Sequence, residues 1–174
     1  MNISAAQMAN DRLQCSIDST LRRHELPARA LCLEITESAL VTDDSVSHTF
    51  LRRMREQGVR LSIDDFGTGF SSLAYLTKLP VHELKIDRAF IAGLATNHSD
   101  VTVVAAVVGL AHQLGLRALA EGVETENQLA TIRRLGCDVV QGYLLGRPMP
   151  GAQIDRLLAS TSPGRPDEAS TAPA

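Results

Sequence analysis

Side chains that could do chemistry stand at the end of almost every predicted β-strand of this sequence. In chain order they are Asn2, Glu34, Asp64, Asp65, Lys85, Asp87, Glu121 and Gln141. If the strands are parallel, their carboxyl ends converge on one face, where such enzymes keep their active sites. Four or five acidic groups would then share one cleft, which raises carboxylate pKa values unless a cation is present.

Oxygen ligands of this kind suit Mg²⁺ or Mn²⁺ better than zinc. The adjacent Asp64 and Asp65 are well placed to bridge two ions, an arrangement that clamps an in-line displacement at phosphorus. The residues therefore predict metal-assisted phosphoester cleavage. Taken singly, Glu34 or Asp87 is more typical of a surface carboxylate beside a turn, and Lys85 of an exposed strand residue. Their joint placement at successive strand ends favours a site.

The elements that must position these side chains follow a repeated strand–helix pattern. Alternating or continuous apolar runs predict strands over 2–4, 31–35, 59–65, 83–87, 116–120 and 137–141. Between them, periodic apolar residues, caps and terminal glycines predict helices over 11–23, 46–57, 100–114, 126–135 and 152–158, with a short helix ending at Leu79-Pro80. Asp100 is the predicted cap of the helix that ends at Leu114, and Thr125 with Gln128 forms a capping-box pattern.

Strands that alternate with helices predict an α/β fold of parallel strands joined by right-handed crossovers. Five clear units, plus one that begins at Met1, would fit an open doubly wound sheet. A (β/α)₈ barrel needs eight units and typically about 250 residues. The polar residues at the strand ends favour the barrel, so we expect a TIM-like barrel that is incomplete in this chain.

Composition excludes several classes of protein. The chain has 174 residues, 44% hydrophobic and 21% charged, with a net charge of −3, which gives no case for DNA or an anionic membrane as partner. No apolar run reaches the length of a membrane span, and the start has no export signal. Three widely spaced cysteines indicate reduced thiols, so we expect a cytoplasmic protein. The Ser-, Pro- and Ala-rich residues 160–174 predict a disordered tail.

Five motifs occur in the order and spacing of a known family. They are Glu34-Ile35-Thr36-Glu37-Ser38, Asp64-Asp65-Phe66-Gly67-Thr68-Gly69-Phe70-Ser71-Ser72, Leu84-Lys85-Ile86-Asp87, Ala120-Glu121-Gly122-Val123-Glu124 and Gln141-Gly142-Tyr143. Over residues 1–159 the chain resembles the carboxy-terminal two-thirds of an EAL domain, a bacterial phosphodiesterase that linearises cyclic di-GMP to pGpG.

The resemblance implies a role for each matched residue. Asn2, Glu34 and Asp64 would hold one metal ion, and Asp64 would bridge to a second ion that Asp65 also holds. Glu121 corresponds to the carboxylate proposed as general base or as holder of a metal-bound water. Lys85 would orient the attacking water and offset negative charge.

The remaining matches imply supporting roles. Asp87 would support the site, and Gln141 would contact the substrate. Glu37 and Glu124 would brace the loop after Asp65, a segment linked to dimerisation. Gly67 and Gly69 would let that loop adopt positive φ angles or move as a lid, although a plain tight turn also explains them.

The chain departs from the family pattern at its start. The Glu-Ala-Leu motif, whose glutamate is a metal ligand, does not occur in the matching position, and the first two barrel strands are expected to be missing as well. We therefore expect this chain to be inactive alone, and its complete form to be a homodimer with an upstream sensory or diguanylate cyclase-like domain. The alternative is a catalytically dead module that binds cyclic di-GMP or a protein.

Overall fold

The computed structural model of the protein describes residues 1–40, 45–67 and 76–161. Within these ranges six strands form one parallel sheet whose spatial order follows the chain order. The strands are β1 (Asn2–Ile3), β2 (Cys32–Thr36), β3 (Arg60–Phe66), β4 (Glu83–Ile86), β5 (Arg117–Ala120) and β6 (Val139–Val140). A doubly wound sheet would reverse its order at a switch point. The sequential order is that of a (β/α) barrel, and it confirms the predicted α/β class.

Helices connect the strands. They are α1 (Ala5–Met8), α2 (Asp11–Arg23), α3 (Glu37–Leu40), α4 (Ser45–Glu56), α5 (Arg88–Gly93), α6 (His98–Gln113), α7 (Glu126–Arg134) and α8 (Gly151–Thr161), with a 3₁₀ turn at Ala28–Ala30. None of the helices in the described ranges combines the length and the apolar character that crossing a bilayer requires.

The core lies between the sheet and the helices that cover one of its faces. Alternate residues of β2 and β3, including Leu33, Ile35, Leu61 and Ile63, are at most 1% exposed. Helix α4 packs on β3, and α6 packs on β4 and β5. Because successive strand residues point to opposite faces, the residues between these apolar ones, such as Ser62 and Asp64, point away from the helices. The apolar packing on one face thereby fixes the polar residues on the other.

Several elements differ from the sequence predictions. Helix α5, which follows β4, was missed, and Asp87 is its N-cap rather than the last strand residue. The N-cap of α6 is Asn97, so the prediction of Asp100 was wrong; Asp100 lies in the first turn. Helix α8 extends to Thr161, two residues into the segment predicted as disordered, and residues 162–174 lie outside the described ranges. The predicted helix before Leu79 also lies mostly outside them.

Candidate active site at the carboxyl ends of the strands

The candidate site is centred on the buried ammonium group of Lys85 in β4. Its side chain is 4% exposed, and Nζ lies 2.8 Å from Glu34 Oε2, 2.9 Å from Asp64 Oδ1 and 2.5 Å from Glu121 Oε1. The three carboxylates come from β2, β3 and the residue after β5. Parallel register places them together, because Thr36 pairs with Asp64 and Ile86 pairs with Ala120. Residues separated by as many as 87 positions thus meet at one ammonium group.

Burial and hydrogen bonding act on Lys85 in opposite directions. Burial by itself lowers the pKa of a lysine because it penalises the charged form. The hydrogen bonds to Glu121, Glu34 and Asp64 outweigh this effect and raise the pKa of Lys85 above its ordinary value. The lysine is therefore an ammonium ion at neutral pH and serves as the fixed cation of the cluster.

A backbone irregularity brings Asp65 to the same side of the sheet as Asp64. Neighbouring residues of a regular strand point to opposite faces. At Asp65, however, φ is +54°, and the pairing of β3 with β4 shifts register between Ile63 and Phe66. Carboxylate oxygens of Asp64, Asp65 and Glu121 consequently all lie within 4.8 Å of one another. A positive φ at a residue other than glycine is strained, and such strain is concentrated at functional sites.

The crowded carboxylates show the expected electrostatic cost. Burial raises the pKa of Glu121, contacts with Lys85 lower it, and the charges of Asp64 and Glu34 raise it; the net direction is upward. Burial, a hydrogen bond with Asp87, and the charges of Asp64 and Asp87 together raise the pKa of Asp65, against the effect of Lys85. One lysine thus faces more negative charge than it can balance.

This donor set fits a divalent cation. All the clustered groups offer carboxylate oxygens, which suit Mg²⁺ and Mn²⁺. Asp64, Asp65 and Glu121 are close enough to share one ion. The residual negative charge around Lys85 would be relieved by such an ion. The cluster therefore has the donor chemistry of a divalent-cation site, and the assignment of Asn2, Glu34, Asp64 and Asp65 as its ligands remains a prediction.

Gly67, the residue that follows β3, contacts two other parts of the fold. The buried Glu37 accepts a hydrogen bond from the backbone N–H of Gly67 through Oε2, at 3.0 Å. Gly67 has a φ of +100°, and a Cβ atom there would lie 3.1 Å from the Phe90 ring. The positive φ favours glycine at this position, and the Phe90 ring leaves little room for a side chain. Gly69 lies outside the described residues.

Three other predicted site residues have exposed side chains. Asn2 pairs in register with Glu34 and is exposed. Gln141 is also exposed, and its backbone binds Ala120 and Val123. The Glu124 side chain is exposed, and its backbone N–H donates to Gln128. The proposed contact of Glu124 with the loop after Asp65 remains a prediction, because residues 68–75 are outside the described ranges.

A second polar layer, one residue pair below the lysine, was not predicted. Glu83 is 6% exposed, accepts a hydrogen bond from the buried Ser62 hydroxyl at 3.2 Å, and pairs with Arg117 at 3.0 Å. The signal was available in the alternation of β4, where Glu83 and Lys85 share a face. A buried glutamate at the start of a strand resembles an ordinary charged residue in the sequence, so the alternation alone gives it no special role.

Known proteins provide an independent comparison. A family model described as "EAL domain" matches residues 1–148. The bifunctional diguanylate cyclase/cyclic di-GMP phosphodiesterase MucR of Pseudomonas aeruginosa is 49% identical over 154 residues, which are 88% of this chain and 22% of MucR. The chain thus spans about a fifth of the length of this curated relative.

Solved structures give the same answer. The MucR phosphodiesterase in complex with c-di-GMP superimposes with a TM-score of 0.83 at 50% identity, covering 88% of this chain and 62% of that one. A manganese/cy-diGMP complex of Klebsiella pneumoniae BlrP1 has a TM-score of 0.78 at 28% identity, covering 85% of this chain and 38% of that one. Sequence, fold and site geometry therefore agree that the chain belongs to the EAL domain family.

Proposed function

We propose that this chain supplies most of the active site of a cyclic di-GMP phosphodiesterase that forms pGpG. The observation that carries the proposal is the convergence of Glu34, Asp64 and Glu121 on Lys85, with Asp65 turned into the same cluster. The EAL domain match and the c-di-GMP complexes of two related proteins support the choice of substrate.

The reaction requires one water molecule and breaks one P–O bond. Water oxygen forms the new bond to phosphorus, and the 3′ oxygen leaves and takes up a proton. Glu121 Oε1 is the proposed acceptor of the water proton, a task for which an upward-shifted carboxylate pKa is suited. Lys85 Nζ holds this carboxylate in place and offsets negative charge at the phosphate.

We propose that Asp64, Asp65, Glu34 and Asn2 hold Mg²⁺ or Mn²⁺ in the complete domain. When bound, such cations polarise phosphoryl oxygens and lower the pKa of water. Manganese in the BlrP1 complex supports a divalent ion without distinguishing it from magnesium. Gln141, Asp87 and Glu124 keep the supporting roles that the family resemblance implies. Gln141 is the member of this group proposed to contact the nucleotide.

The test compares the chain alone with a chimera in which the amino-terminal part of the MucR phosphodiesterase domain precedes Met1. Because we expect one metal ligand to come from that part, the chimera should release pGpG with Mn²⁺, and the chain alone should not. Glu121→Gln in the chimera should lower kcat by about 10²-fold or more. Glu126→Gln, on the exposed face of α7, is the matched control and should have no effect.

The chimera also distinguishes the alternative function. In one outcome the chimera binds cyclic di-GMP saturably and releases no pGpG under conditions in which the parent MucR domain hydrolyses it. That result would contradict hydrolysis and support the catalytically dead binding module. Turnover that persists in Glu121→Gln would show that the proton acceptor lies elsewhere.

We further propose that the complete protein acts in the cytoplasm as a homodimer with an upstream sensory or diguanylate cyclase-like domain. The bifunctional name of MucR supports the linked cyclase domain. Light scattering of the chimera tests the dimer, and a purely monomeric mass would contradict it.

A further inference from the structure

A cavity of about 570 Å³ lies at the opposite ends of the strands from the carboxylate cluster. Its polar lining comes from Arg55 at the end of α4, Arg60 at the start of β3, His82 just before β4, and Arg117 at the start of β5. Strand residues rise about 3.3 Å each, so Arg60 and Asp64 stand about 13 Å apart along β3. The cavity is therefore separate from the candidate active site.

The charges in this cavity are unbalanced. Among the described residues, the carboxylate within 4 Å of these arginines is that of Glu83, which pairs with Arg117 at 3.0 Å. Arg55 donates to the carbonyl oxygen of Val81 at 3.3 Å, a contact that leaves its charge uncompensated. Two guanidinium charges remain in a lining whose chain carries a net charge of −3. A positive cavity on an acidic protein selects for anions.

His82 is held in one orientation as a donor. Its Nδ1 accepts a hydrogen bond from the backbone N–H of Leu61 at 3.1 Å, so the ring proton is on Nε2. The backbone N–H and carbonyl of His82 bind Leu61 and Arg117 as well, which fixes the residue between β3 and β5. Burial, followed by the charges of Arg55, Arg117 and Arg60, lowers the pKa of His82. The imidazole is therefore neutral at pH 7.5, and the three arginines all act on it.

Apart from Thr77 and Gly115, the rest of the lining is apolar. Leu76, Leu79, Val81, Leu114 and Leu116 form a wall beside the cationic groups. A cavity of this volume lies within the range of small-molecule sites, which combine apolar walls with a few placed polar groups. Guanidinium groups match phosphate oxygens in both charge and fork geometry. We propose that this cavity binds a nucleoside diphosphate, with its phosphates on Arg55, Arg60 and His82 and its base against the leucine wall.

The experiment measures ADP binding to the full chain by calorimetry, in EDTA at pH 7.5 so that the carboxylate cluster has no metal to attract phosphate. ADP should bind, and added salt should weaken the binding. Arg55→Gln and Arg60→Gln should each weaken it about tenfold, as expected for loss of a charge-assisted hydrogen bond. Arg53→Gln, on the same last turn of α4 but outside the lining, is the control and should stay within about twofold.

Pyrophosphate separates the two halves of the proposed site. It should bind about tenfold more weakly than ADP, because it cannot use the leucine wall. Equal affinities would overturn the assignment of that wall to a base. Absence of ADP binding, or binding unchanged in both arginine variants with thermal melts like the parent, would overturn the site itself. The test uses no cyclic di-GMP and no metal, so its result is independent of the proposed hydrolysis.

Discussion

The two ends of β3, β4 and β5 carry opposite charge in different surroundings. At the carboxyl ends, Lys85 and the carboxylates around it are between 4% and 25% exposed, and acids outnumber the base. At the amino ends, Arg117 is 47% exposed over the buried Glu83, and bases outnumber the acid. The same parallel strand register brings together the Lys85 cluster and the arginines at the amino ends, but the Lys85 cluster is the more buried of the two. Burial determines how much each ion pair contributes to the free energy of unfolding. Exposed ion pairs contribute little, whereas removing one partner of a buried pair leaves an uncompensated charge and is strongly destabilising.

The largest effect should come from removing the cation at the carboxyl ends. Lys85→Met keeps the volume of the side chain but leaves three carboxylates around an apolar group. We expect a loss of about 3–5 kcal/mol in the free energy of unfolding at pH 7. Urea denaturation in EDTA measures it, with the exposed Lys78→Met as control. A loss below about 1 kcal/mol would mean that the lysine cluster is not formed in solution.

The corresponding change at the amino ends should cost less. Arg117→Met removes a half-exposed partner, and Glu83 keeps the hydrogen bond from Ser62. We expect a loss of about 1–3 kcal/mol, the range for a buried acceptor that loses one partner. The same urea experiment compares the two variants directly. If Arg117→Met were as damaging as Lys85→Met, the contrast in burial between the two ends would not explain their energetics.

The backbone at Gly142, just after β6, has no room for a Cβ atom. A Cβ atom at Gly142 would overlap the backbone of Val123, two residues after Glu121. Gly142→Ala should therefore destabilise the chain by about 1–3 kcal/mol. Gly109→Ala is the control, since it lies in α6 with open space around it and should stabilise by up to about 1 kcal/mol. Thermal melts that shift in the same direction for both variants would contradict the close packing.

The smallest expected effect concerns the hydrogen bonds of the Asp138 carboxylate near the amino ends, which a change of pH tests. Asp138 accepts hydrogen bonds from the backbone of Ala118 at 2.8 Å and from His112 at 2.9 Å. Burial raises the pKa of Asp138, but these hydrogen bonds outweigh it and the net direction is downward. A carboxyl group whose pKa is lower in the folded chain than in the unfolded chain stabilises the fold at pH values above its unfolded pKa of about 3.9. This stabilisation is lost as the pH falls through the folded pKa.

Asp138→Asn should accordingly lower the free energy of unfolding by about 1 kcal/mol between pH 7 and pH 5. This figure already allows for the partial exposure of Asp138. Below about pH 4 the difference from the parent should shrink. Urea melts across this range check it. A difference that grew as the pH fell would reverse the sign of the linkage and contradict the assigned hydrogen bonds.

Much of the fold was accessible from local pattern. The bounds of α2, the capping box of Thr125 with Gln128, and the strand that carries Lys85 follow from periodicity and caps. The expected gathering of acidic residues was also correct, because parallel strands bring their carboxyl ends together. Helix α5 was missed because six residues are too short to show a helical period, and its cap, Asp87, was counted as part of the strand.

The site itself needed three-dimensional information. The positive φ of Asp65 depends on a register shift between β3 and β4, which no local pattern reveals. The four-way contact at Lys85 depends on the register of four strands. Arg60 and Arg117 resemble ordinary charged residues at strand starts, and only the fold brings them to one cavity. Local rules therefore identified which end of the sheet is acidic, but they gave no account of the basic end.

The carboxylates at the carboxyl ends of the strands are proposed to hold a divalent cation. Calorimetric titration of the full chain with Mn²⁺ tests it most directly, with Asp65→Asn as the probe because Asp65 is not among the carboxylates within 4 Å of Lys85. We expect the parent to bind Mn²⁺, Asp65→Asn to weaken the binding at least about tenfold, and Arg60→Gln at the amino ends to leave it unchanged. Mn²⁺ binding of equal strength in the parent and in Asp65→Asn would contradict it.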